Sequence, residues 1–149
     1  METGWANHVR RYLWRREEDD LGQAISAAGD REVALLLKAF KNQDIEAVDK
    51  LSVRALTILK NAGRVDDMLI AGLLSVDLKV RLVESYNQFP MEMQQEVLQL
   101  GLHACDQAIG IAVKIGDLPC IAFYQFLKGT GLYQSRELRG ARRFYEEAL

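Results

Sequence analysis

The chain has 149 residues, 49% of them apolar, two prolines and a formal charge of -2. That length buries a real core without staples, and the apolar fraction excludes a disordered chain. The near-neutral balance supplies no global field for nucleic acid or anionic lipid.

The first segment, from about Trp5 to Glu18, places Trp5, Val9, Tyr12 and Leu13 on one side of a helix and His8, Arg11, Arg15 and Arg16 around the other. Glu17, Glu18, Asp19 and Asp20 then balance the basic run, and Asp19 or Asp20 suits the cap of a short helix over Leu21–Ala28. Asp30 follows Gly29 as the candidate cap of a helix over Glu32–Phe40, and Asn42, Gln43 and Asp44 make a polar corner. The stretch from Asp44 to Leu74 organises the chain. Val48, Leu51, Ala55, Ile58, Leu59 and Ala62 recur at helical spacing, Glu46 and Lys50 stand four apart, and a break falls at Ala62-Gly63. A second helix restarts with Val65, Met68, Leu69 and Ala71, and Asp66 and Asp67 fall in its first turn, where unpaired amides favour carboxylates.

Ser75 or Asp77 is expected to start a further helix carrying Leu78, Leu82, Val83 and Tyr86, which ends near Phe89 because Pro90 disfavours helix in the residue before it. Met91–Ile115 is the longest candidate helix. Gly101 and Gly110 inside it suggest close helix contact. After a turn at Gly116 to Pro119, a helix over Pro119–Lys128 is expected, then a corner at Gly129-Thr130-Gly131. A last helix begins after Gln134 or Ser135, with Leu138, Ala141, Phe144, Tyr145 and Ala148 inward. No alternating strand pattern occurs, so the expectation is an all-α fold of roughly six to eight antiparallel helices. It forms a single domain over 1–149, either an irregular helical repeat or a compact bundle, whole or as a piece of a longer helical-repeat protein.

The turns have a rhythm. Ala28-Gly29-Asp30 and Ala62-Gly63-Arg64 lie 34 residues apart, and Ile115-Gly116-Asp117 opens a third unit at another interval. A period of this size is used by helix-pair solenoids. Around Gly129, Tyr133, Ala141, Tyr145 and Ala148, the small-large pattern resembles a tetratricopeptide repeat, as does the junction at Ala55-Leu56, Gly63 and Ala71-Gly72. The resemblance covers about half of the chain, with displaced positions before Gly129 and a period broken by Pro90 and Gly110. It implies a scaffold or chaperone-like adaptor that holds a peptide or helix in a concave groove, and it does not imply catalysis.

Chemical groups are sparse. His8 and His103 are not spaced as a metal pair, and His103 and Cys105 point to different helical faces. Asp19-Asp20 and Asp66-Asp67 diverge around their helices, and Asp117 is more simply a turn cap than a metal partner of Asp106. No nucleotide-binding glycine motif follows a strand. No catalytic, metal or cofactor site is therefore expected. Cys105 and Cys120 allow one disulfide, but reduced core residues are the favoured reading.

The first residues lack the apolar run of a signal peptide, and residues 98–126 are interrupted by charges and Pro119, so a cytoplasmic location without membrane contact is expected. Two basic groups stand out, Arg10, Arg11, Arg15 and Arg16, and then Arg136, Arg139, Arg142 and Arg143. Glu137, Glu146 and Glu147 dilute the second, which favours an acidic or helical protein partner over nucleic acid. The expected binding surface is Arg136, Arg139 and Arg143 beside Phe123, Tyr124 and Tyr133. The alternative is a homo-oligomeric structural protein that associates through Trp5, Tyr12, Trp14, Phe144 and Leu149. The leading expectation is a non-catalytic protein-protein interaction module, adaptor or chaperone-like.

Overall fold

The computed structural model describes the backbone of residues 4–148 and the side chains of residues 4–139. Its elements are α1 (Gly4–Arg15), α2 (Glu18–Ala27), α3 (Arg31–Lys41), α4 (Ile45–Asn61), α5 (Val65–Val80), the short α6 (Leu82–Ser85), a 3-10 turn (Tyr86–Gln88), α7 (Met91–Ile115) and α8 (Leu118–Ala148). There is no strand among the described residues, so the all-α fold holds.

Three of the connections are one device. After α3, Gln43 N–H donates to Phe40 O and Asp44 N–H to Ala39 O; after α4, Gly63 donates to Lys60 and Arg64 to Leu59. After α7, Gly116 donates to Val113 and Asp117 to Ala112. This paired closure ends a helix on a left-handed residue: φ is 56° at Gln43, 70° at Gly63 and 78° at Gly116. The next residue stands immediately before the following helix. Asp44 and Asp117 accept from Ala47 N–H and Cys120 N–H, as N-caps do. The recurring corner is thus at Gln43, Gly63 and Gly116, the first two twenty residues apart by their numbering. Gly29 belongs to a different connection, because it has no positive φ and Ala28 before it is extended.

Consecutive helices pack on one another from α1 to α5, and then α5 on α7 and α7 on α8. A core from Trp5 to Leu127 runs through all of them without interruption. α5 is its axis, with Ile70, Ala71, Leu73, Leu74, Leu78 and Val80 buried around the whole helix. The chain also closes on itself, since α1 touches α5 and α8, a contact beyond the nearest neighbours that a simple solenoid uses.

Two expected boundaries are corrected. α5 does not restart at Ser75 or Asp77: Ser75 Oγ donates back to Ala71 O at 2.7 Å within an unbroken helix, and Asp77 is buried in it. α8 does not turn at Gly129-Thr130-Gly131. Gly131 lies where α8 presses on its neighbours, and a Cβ there would come within 2.6 Å of Leu102 Cδ2. Gly101 is the matching close approach, because its Cβ would sit 2.9 Å from the backbone nitrogen of Val83. Gly110 is exposed with open space around it and makes no such contact.

Candidate functional site

Asp77 stands in the last turns of α5 with no exposed surface. The helix dipole disfavours an anion there, so other elements supply its partners. Arg16, just past the end of α1, donates from Nη1 at 2.6 Å and from Nη2 at 2.8 Å. Tyr124 on α8 donates its hydroxyl at 2.8 Å, and Arg81 Nε lies 3.3 Å away. Arg81 also donates to the Tyr12 hydroxyl. The guanidinium of Arg16 rests 5.0 Å from the centre of the Phe123 ring, and that of Arg81 5.0 Å from the Phe40 ring. Arg16 holds a left-handed backbone, φ 58°, uncommon for a non-glycine residue, and the bidentate pair fixes it there.

This environment shifts the neighbouring groups. Burial opposes the charge of Arg16, but the hydrogen bonds and charge of Asp77 raise its pKa overall. Burial, then the charge of Asp77, pushes the Tyr124 hydroxyl well above its usual range. Burial pushes the Cys105 thiol up to about 11, and burial with Asp117 pushes Cys120 up to about 12. Both cysteines are free and buried, as expected for core residues, and neither is poised as a thiolate.

A second polar knot ties α1 to the start of α8. Asp117 accepts from Trp14 Nε1 at 2.9 Å and pairs with Arg10 at 3.4 Å while it caps α8. At the first knot, a cleft of about 420 Å³ opens over Asp77, lined by Val80, Phe123 and Leu127 and by Glu18 and Glu84.

The expected basic group of α1 is therefore taken apart. Arg10 and Arg16 pair with Asp117 and Asp77, Arg11 donates to His8, and Arg15 is exposed. Asp106 pairs with Lys128 at 2.7 Å, so it and Asp117 serve different partners. Among the described residues, no group of three or more acidic, histidine or cysteine side chains is gathered as a metal site would need.

The other expected site residues divide. Arg136 and Arg139 are exposed, and Tyr133 is 61% exposed, all on α8. Tyr124 is corrected: it is 0% exposed and faces Asp77, so no partner reaches it. Trp5 and Tyr12 are corrected too, because both are buried in the core and cannot cover another subunit. Trp14 is 54% exposed. Arg143, Phe144 and Leu149, with Ala141, Arg142, Tyr145 and Ala148, lie outside the described side chains.

The outer face of α8 carries a row that runs straight through the expected corner at Gly129-Thr130-Gly131. Leu118, Ala122, Phe126, Gly129 and Tyr133 recur at three- and four-residue steps and are all exposed, with Phe126 at 71%. The row continues into Arg136 and Arg139. The periodicity was present in the sequence, but the assumed break at Gly129 hid it.

No family model matches the chain, and neither does any curated protein or solved structure. Fold and geometry define an all-α protein with a buried polar junction and an apolar-to-basic outer helix. Among the described residues, no helix is long and apolar enough to cross a membrane.

Proposed function

We propose that the protein is a non-catalytic interaction module, adaptor or chaperone-like, that captures an amphipathic helix or peptide on the outer face of α8. The observation that carries this reading is the exposed row from Leu118 to Tyr133 leading into Arg136 and Arg139. Contiguous apolar surface of this kind marks interaction sites, and a partner helix matches it with apolar anchors at three- and four-residue steps followed by acidic residues.

The non-catalytic part is supported by the titratable groups. Asp77 is saturated by arginine and tyrosine donors, and both thiols are raised away from reactivity. The tetratricopeptide-like reading stays with the same proposal on the sequence pattern alone, because α8 runs unbroken through Gly129-Thr130-Gly131 and α1 packs on α8. A cytoplasmic setting is in keeping with two free, buried cysteines.

The test is a pull-down from the source cell with the wild-type chain and an Arg136→Glu/Arg139→Glu variant. A partner captured by the wild type is expected to be lost with the variant, and Phe126→Ser should lose it as well. An unchanged set of captured proteins on correctly folded variants would overturn the reading.

A further inference from the structure

The cleft over Asp77 has a layered charge that Asp77 does not cancel. Two guanidiniums, Arg16 and Arg81, face one carboxylate, and each keeps close to a third of its side chain accessible. Their remaining N–H groups give the floor an excess of positive charge. Arg16 is clamped by two hydrogen bonds and an aromatic face, and Arg81 by Asp77, Tyr12 and Phe40, so both are held in place before any ligand arrives. Such preorganisation lowers the cost of binding.

The rim is of the opposite sign. Glu18 opens α2 and Glu84 lies on α6, both are exposed, and both edge the same cleft. Val80, Phe123 and Leu127 supply the apolar part of the lining. A dianion such as phosphate would meet the rim carboxylates, and a simple cation would meet the guanidiniums. A molecule with a carboxylate, an ammonium group and a short apolar skeleton satisfies both layers. The volume of about 420 Å³ lies in the range of small-molecule sites.

We propose that this cleft binds a free α-amino acid with an apolar side chain. Its carboxylate lies on the outward N–H groups of Arg16 and Arg81, its ammonium group at Glu18 and Glu84, and its side chain along Phe123 and Leu127. The site is separate from the outer face of α8, so its test leaves the interaction reading untouched.

The experiment is calorimetric titration of the full chain with L-leucine, N-acetyl-L-leucine, 3-methylbutylamine and inorganic phosphate. L-leucine is expected to saturate one site, and the two singly charged analogues to bind at least about tenfold more weakly, the loss of one charged contact. Glu84→Gln and Glu18→Gln alter only exposed rim groups. Each should weaken L-leucine and leave N-acetyl-L-leucine as tight as before. Absence of saturable L-leucine binding, phosphate or N-acetyl-L-leucine binding as tightly as L-leucine, or indifference of L-leucine to both rim variants would overturn the proposal.

Discussion

Two arginine–carboxylate clusters hold this molecule together, and they differ in what the acids have without the arginine. Arg64 joins Asp30 at 2.5 Å and Asp67 at 2.7 Å, and Arg16 joins Asp77 at 2.6 Å. The two arginines are equally accessible, 29% and 28%. Asp30 keeps a third of its side chain in solvent, and Asp67 lies in the first turn of α5, where helix amides favour a carboxylate. Asp77 is fully buried near the other end of the same helix, where they do not. Arg16 is also the more deeply packed of the two arginines, set against the Phe123 ring, so acid and arginine together distinguish the clusters.

The sharpest way to break this contrast is Asp77→Ala. It leaves Arg16 and Arg81 partly buried without their counter-charge, and urea unfolding is expected to show a loss of about 3–5 kcal/mol. Alkali should find the same junction. The folded-state pKa of Tyr124 lies above its ordinary value of 10.0, and those of Cys105 and Cys120 above 9.0. Their contribution is therefore full below about pH 9 and is lost as pH rises through the folded values, by up to about 1.4 kcal/mol per pH unit for each group. Tyr124→Phe removes its share of that slope, measurable by unfolding at stepped pH, and an unchanged slope would show the hydroxyl to be uninvolved.

Gly101→Ala tests the packing beside the junction. The added methyl meets the Val83 backbone, for an expected loss of about 1–3 kcal/mol by thermal unfolding. Asp30→Ala removes only a partly exposed partner of Arg64, and at most about 1 kcal/mol should go with it. A larger drop would erase the contrast between the clusters. Arg139→Glu, on the exposed face of α8, should change stability by under about 0.5 kcal/mol while it weakens partner capture.

Helix identity was legible because burial follows periodicity. Trp5, Val9, Tyr12 and Leu13 share the buried side of α1 as their spacing requires, and the Glu46–Lys50 pair forms at 3.7 Å. The bounds of α7 also match, since Pro90 and Gly116 limit it by local backbone chemistry. What sequence could not supply was the meaning of residues whose role depends on distant elements. Asp77 reads as a helix start until Arg16, 61 positions away, reaches it. Gly131 reads as a turn until Leu102 and Val83 crowd its missing Cβ. Gln43 carries the same left-handed corner as Gly63 without the glycine that announces one. The polar junction was missed for the same reason: Arg16 looks like part of a solvated basic face, and nothing near Arg81 in sequence marks it as a partner of Tyr12.

The closure of α1 on α8 also gives the molecule its own optical gauge. Only two tryptophans are present, both on α1. Trp5 is sealed in the core, and Trp14 lies half in solvent with its indole N–H on Asp117. Emission from Trp5 therefore reports the interior, while iodide quenching of Trp14 reports whether the amino-terminal helix is seated. A Trp5→Phe chain would isolate the second signal, and any event that lifts α1 from α8 becomes visible without a label.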